Sequence, residues 1–156
     1  MKFISESVIE SCAEQIGASA QNFEAALVAL NDDQPIIAAF VFSENFALFT
    51  QAEKELLLFV VLVIHQSIKK ERGPMQIVSA EALGKREEKN WETMSKVTAK
   101  KFRDRLDVFF ENYAQEDLLA FVEDSLTEEE EELVTKVGRE PMFVALKSII
   151  DAMCDI

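Results

Sequence analysis

Apolar residues recur along this chain mostly at helical spacing, and in one place they run on without a polar break. Within residues 50–71, TQAEKELLLFVVLVIHQSIKKE, nine consecutive residues from Leu56 to Ile64 are apolar. At about 100° per residue such a run points in every direction and leaves no face for water. A membrane span needs about 20 apolar residues, and His65, Gln66 and Ser67 end this run too early. The run predicts a central core helix. Thr50 and Glu53 mark its start as a capping box, in which the hydroxyl and the carboxylate each accept from the other residue's amide.

The remaining pattern predicts further helices. Ser5 opens one that ends near Gly17. Ser19 precedes Phe23, Leu27 and Leu30 on one helical face. Asn31-Asp32-Asp33 reads as a helix-end turn, and Pro35 suits the first turn of an apolar segment reaching Phe49. Ser79 caps a helix carrying Leu83, Trp91 and Met94, weakened by Gly84. Thr98 precedes a stripe of Phe102, Leu106, Phe109 and Tyr113. Residues 115–124 form a short amphipathic helix. Thr127 with Glu130 reads as a second capping box, followed by an interruption at Gly138 and Pro141 and a last helix burying Met142, Leu146, Ile149 and Met153. Lys147, Ser148 and Asp151 give that helix a polar side, so it is expected at the periphery.

The two capping boxes prompt a comparison of the halves. Ser19, Phe23, Leu27 and Leu30 match Thr98, Phe102, Leu106 and Phe109, and Phe59-Val60-x-Leu62 matches Phe143-Val144-x-Leu146. Order is preserved, while the offset jumps from 77 at the capping boxes to 84 at the last match. The expected architecture is all-α: a single-domain helical bundle over 1–156, of about seven helices. Two degenerate three-helix pseudo-repeats, about 5–71 and 79–153, share its one core. With 156 residues, 4 Gly and 3 Pro, the chain suits one helical core better than many short strands.

Charge changes the picture more than composition does. The formal net charge is −13, which argues against nucleic acid as a partner, because that affinity comes from neutralising phosphates. Residues 1–68 carry 2 basic and 9 acidic side chains, residues 69–105 carry 11 and 6, and residues 106–156 carry 3 and 14. A basic middle between acidic ends is expected to pair across the fold. Lys100, Lys101, Arg103 and Arg105 surround their helix instead of lining one face, with Asp104 and Asp107 placed to pair with Lys100 and Arg103. The densest acidic run, Glu128, Glu129, Glu130, Glu131 and Glu132, exceeds what a helix dipole favours and is a candidate partner-facing patch. The opening MKFISESVIESC lacks a secretory pattern, so a cytoplasmic location is expected. Cys12 and Cys154 lie in no metal or redox spacing and are expected to act as small apolar residues.

Catalytic signatures do not emerge. One histidine cannot build a His₂ or His₃ zinc site, and Leu62 stands where a Glu-x-x-His pair with His65 would need a glutamate. His65 is expected to be a buried, hydrogen-bonded helix residue. The S-x-x-K match at Ser67–Lys70 lacks its companion motifs. No phosphate loop, nucleophile elbow or calcium loop occurs in the sequence. The expectation is no enzyme, no cofactor and no metal. The function expected first is a non-catalytic intracellular protein-protein interaction or regulatory protein, with an unknown protein partner for which the acidic charge suggests a basic one. An acidic immunity-type inhibitor of a basic enzyme is the second expectation. The third is a small-molecule binder using an apolar pocket between the helical repeats.

Overall fold

A computed structural model of the chain describes residues 2–127 and 133–156. Its helices are α1 (Glu6–Gly17), α2 (Ala20–Asp33), α3 (Pro35–Val41), α4 (Gln51–Arg72), α5 (Ala80–Ser95), α6 (Phe102–Arg105), α7 (Asp107–Phe110), α8 (Glu116–Thr127) and α9 (Lys136–Cys154). A 3₁₀ turn at Glu44–Phe46 lies between α3 and α4. The described residues contain no strand, and none of their helices is long and apolar enough by itself to cross a membrane.

The α4 capping box forms as the sequence predicts. Thr50 Oγ1 accepts from the Glu53 amide at 3.1 Å, and Glu53 Oε1 accepts from the Thr50 amide at 2.9 Å. The helix it starts crosses the centre of the molecule, with Val60 through His65 all buried. It packs against α1, α2, α8 and α9. In turn α9 packs against α4, α5 and α8, and one continuous core runs through both.

Several expectations need correction. The last helix is not peripheral: Met142 through Asp151 are buried without exception, Lys147, Ser148 and Asp151 included. Thr127 does not cap it. Thr127 is the last residue of α8, its hydroxyl donating to the Glu123 carbonyl at 2.8 Å. The cap of α9 is Thr135, whose Oγ1 accepts from the Gly138 amide at 3.0 Å. Gly138 and Pro141 therefore lie inside a continuous helix, in its first two turns.

The stripe after Thr98 is not one helix but two single turns. The Leu106 amide donates to Arg103 O and the Phe109 amide to Leu106 O, three-residue bonds of 3₁₀ type that interrupt the α ladder. Asn112, at φ 54°, ends the segment in the left-handed region. With the ladder broken, Arg103 turns away from Asp107 to Glu123, at 2.8 Å. On α5 the buried face holds Leu83, Asn90 and Met94, while Trp91 is 43% exposed.

The basic middle does reach across the fold. Lys69 meets Asp33 at 2.8 Å, Arg86 meets Asp155 at 3.1 Å, and Arg105 meets Glu140 at 2.8 Å. Cys12 and Cys154 are buried free thiols, and burial pushes the Cys154 thiol up to about 11.

Candidate functional site

The starts of α4 and α9 are joined by one carboxylate. Glu53 closes the α4 capping box through Oε1, while its Oε2 accepts from the Thr135 amide at 3.1 Å and the Thr135 hydroxyl at 2.9 Å. The carboxylate that a capping box needs for α9 is thus supplied by another helix. Gly138 stands where a side chain would collide with it: a Cβ there would lie 2.0 Å from Glu53 Oε2. Glu53 is 2% exposed. Burial raises its pKa, but the amide and hydroxyl bonds from Thr50 and Thr135 outweigh this and hold it below the usual glutamate value.

Exposed apolar side chains flank this junction in the chain. Leu48, two residues before the α4 cap, is fully exposed, and Val137, two residues after the α9 cap, is 87% exposed. Phe42 is 62% exposed at the end of α3. Beside it a shallow groove of about 310 Å³ is walled by Val41, Phe42, Phe46 and Leu58, with Lys54 and Glu55 among the other residues that line it. Glu128 through Glu132, the acidic patch expected from sequence, lie outside the described residues. In sequence they join Thr127 to Leu133, which leads directly to this end.

A second polar assembly lies between α5 and α9. Lys147 Nζ donates to Asn90 Oδ1 at 3.0 Å and to Asp151 Oδ2 at 2.8 Å. Asn90 Nδ2 donates to Asp151 Oδ2 at 3.1 Å and to Ser148 Oγ at 3.0 Å. The Tyr113 hydroxyl donates to Asp151 Oδ1, and Lys147 Nζ sits 4.7 Å from the centre of the Tyr113 ring. Burial, with the Asp151 charge beside it, pushes the phenol far above its ordinary range. The assembly forms the floor of a cleft of about 480 Å³, with Lys85, Arg86 and Lys89 at its mouth. Both Asp151 oxygens are occupied and Lys147 is neutralised. This network suits clamping α5 onto α9 better than proton transfer.

His65 behaves as the sequence suggests. It is fully buried, with Nε2 3.1 Å from Asp33 Oδ2. Burial lowers its pKa despite the raising effect of Asp33, so near neutral pH the ring is uncharged and Nε2–H donates. Asp33 is itself held low, chiefly by the hydrogen bond from Lys69. No group of three or more metal-ligating side chains occurs among the described residues.

Comparison with protein-family models, with curated proteins and with solved structures gives no match in any of the three. The class is therefore defined by fold alone, as an all-α single-core bundle.

Sequence reasoning missed the Asn90–Tyr113–Lys147–Asp151 network and the reach of Glu53 to Thr135. One signal for the network was available. Lys147 and Asp151 are four residues apart and so share a helix face, and the stretch around them is otherwise apolar.

Proposed function

We propose that this chain is a non-catalytic protein-binding or regulatory module that docks a basic protein partner on the end of the bundle where α4 and α9 begin. The observation that carries the reading is the exposure of Leu48 and Val137 close in sequence to the joined starts of α4 and α9, together with that of Phe42 on the wall of the groove. Exposed large apolar side chains beside a groove mark interaction surfaces. Charge supplies the partner's sign: five glutamates lead into this end by sequence, on a chain of net charge −13. A basic enzyme held by an acidic inhibitor is one form of this reading. Nucleic acid is not the partner in it, and the two buried thiols suit a reducing cytoplasm.

The two-unit organisation belongs to the same proposal. With Thr135 as the true cap, Thr50 maps to Thr135 at an offset of 85, beside the offset of 84 between Phe59 and Phe143. The seven-residue jump at the cap disappears, which favours a duplicated unit whose two long helices start side by side.

The test is site-specific photocrosslinking in native lysate from positions 48 and 137, with the exposed Val28 of α2 as control. The expected outcome is an adduct to the same basic protein from both positions, lost at high salt and absent from position 28. Matching adduct patterns from all three positions would overturn the proposal.

A further inference from the structure

The cleft above the Asn90–Tyr113–Lys147–Asp151 network has a basic mouth on an acidic chain. Its α5 wall presents Lys85, Arg86 and Lys89, while the facing wall, from α7 and the residues after it, presents one carboxylate, Glu111. Lys85 and Lys89 are four residues apart, one turn along the same helical face, and like charges so placed repel. The chain does little to neutralise them. Lys85 meets Glu81 at 3.1 Å, but both side chains are largely exposed, where such pairs contribute little. The ion pairs of the described residues leave Lys89 unmatched. Arg86 uses three of its five N–H groups, on Ala82 O, Ile156 O and the exposed Asp155 carboxylate.

The floor and the far wall are fixed. Lys147 and Asp151 neutralise each other at 2.8 Å and Asn90 bonds to both, so the accessible positive charge lies at the mouth. The far wall follows the broken helix: α7 stops at Phe110, and Asn112 turns the chain at φ 54°, with Glu111 and Tyr113 on either side of it both lining the cleft. Asparagine is among the few residues besides glycine that adopt this region readily. Apolar side chains complete the space. Phe109 is buried in the wall, and Val108 and Ile156 line the cleft while 41% and 39% exposed. A volume of about 480 Å³ is that of a small-molecule site.

We infer that this cleft binds a small organic phosphate monoester, its phosphate on Lys85, Arg86 and Lys89 and its apolar body against Val108 and Phe109. A phosphate monoester carries about two negative charges near neutral pH and three strong acceptor oxygens. Three cations on one wall can each meet one of those oxygens in a charge-assisted hydrogen bond. A carboxylate, with one charge and two oxygens, leaves one of the cations unmatched. The inference is independent of the binding surface at the α4 and α9 starts.

Calorimetric titration with phenyl phosphate tests it, beside phenol (the body without charge) and inorganic phosphate (the charge without a body). Phenyl phosphate binds saturably at one site, more tightly than either control and more weakly as salt rises. Lys85→Gln with Lys89→Gln changes two exposed side chains, so the fold stays intact, and it weakens phenyl phosphate by at least about tenfold. Lys100→Gln with Lys101→Gln removes the same charge from exposed positions that do not line the cleft and leaves the affinity within about twofold. Glu111→Gln removes a like charge from the far wall and tightens binding. Circular dichroism confirms that each variant is folded. The assignment is overturned by any of four results: no saturable binding, a control that binds as tightly as phenyl phosphate, an equal effect from the two lysine pairs, or weaker binding in folded Glu111→Gln.

Discussion

The two central helices, α4 and α9, are buried to a similar depth by opposite means. From Leu56 to Ile64, α4 is apolar all round, and its one buried histidine lies at the end of that run beside Asp33. By contrast, α9 carries Lys147, Ser148 and Asp151 into the interior and satisfies them there with Asn90 and Tyr113. Apolar burial follows from periodicity alone. Polar burial needs partners from α5 and from the segment after α7, which periodicity within α9 cannot reveal. A polar stripe on a helix is therefore not proof of a solvent face.

The comparison breaks most sharply on removal of one partner from each kind of core. Asp151→Ala leaves Lys147 buried and unpaired and is expected to cost about 3–5 kcal/mol. Leu62→Ala leaves a cavity in α4 and is expected to cost about 2–5 kcal/mol. Urea unfolding measures both. The distinguishing variant is the double change Lys147→Met with Asp151→Leu, which removes the charges together and is expected to recover most of the Asp151→Ala loss. A double variant as unstable as Asp151→Ala would show that the loss is one of packing rather than of charge.

Gly138→Ala is the next largest expected effect, a loss of about 1–3 kcal/mol from overpacking against the Glu53 carboxylate. Ordinarily an alanine stabilises a helix relative to glycine by up to about 1 kcal/mol, so a more stable variant would show that Glu53 does not occupy this space. Chemical denaturation at pH 7 decides it.

A smaller effect is expected from acid. The folded-state pKa of Glu53 is depressed, so its contribution is fully present above the unfolded glutamate value near 4.5 and is lost as pH falls through the folded value. His65 is also depressed, so protonation favours the unfolded chain once pH drops below about 6.5. Stability is therefore expected to fall in two stages on acidification. Asp33 is also depressed and shares the lower stage, so Glu53→Gln should reduce that stage and leave the upper one, as read from thermal midpoints across pH. An unchanged lower stage would remove Glu53 from the account.

The smallest expected effect on stability comes from the acidic run. Glu129→Gln with Glu131→Gln should leave the urea midpoint within about 0.5 kcal/mol of the parent, because exposed charges contribute little and like neighbours repel.

Legibility in the sequence tracked how local each determinant is. The α4 core and its cap at Thr50 depend on residues within one helix, and both were readable. The α5 face was half readable: Leu83 and Met94 point inward, but hydrophobicity favoured Trp91 over Asn90 for the position between them. Thr127-x-x-Glu130 satisfies the local capping rule, with Glu130 outside the described residues, yet Thr127 closes α8 and the cap of α9 is Thr135. The true cap at Thr135 takes its carboxylate from Glu53, 82 residues earlier in the chain.

The most direct test of the proposed function is the association rate between this chain and the basic protein crosslinked at position 137, at low and at high salt. Wild type is expected to associate faster at low salt, with Glu129→Gln and Glu131→Gln together lowering that rate and a Leu48→Asp, Val137→Asp pair abolishing stable binding. A rate insensitive to salt, with stable binding retained in the Leu48→Asp, Val137→Asp variant, would contradict it.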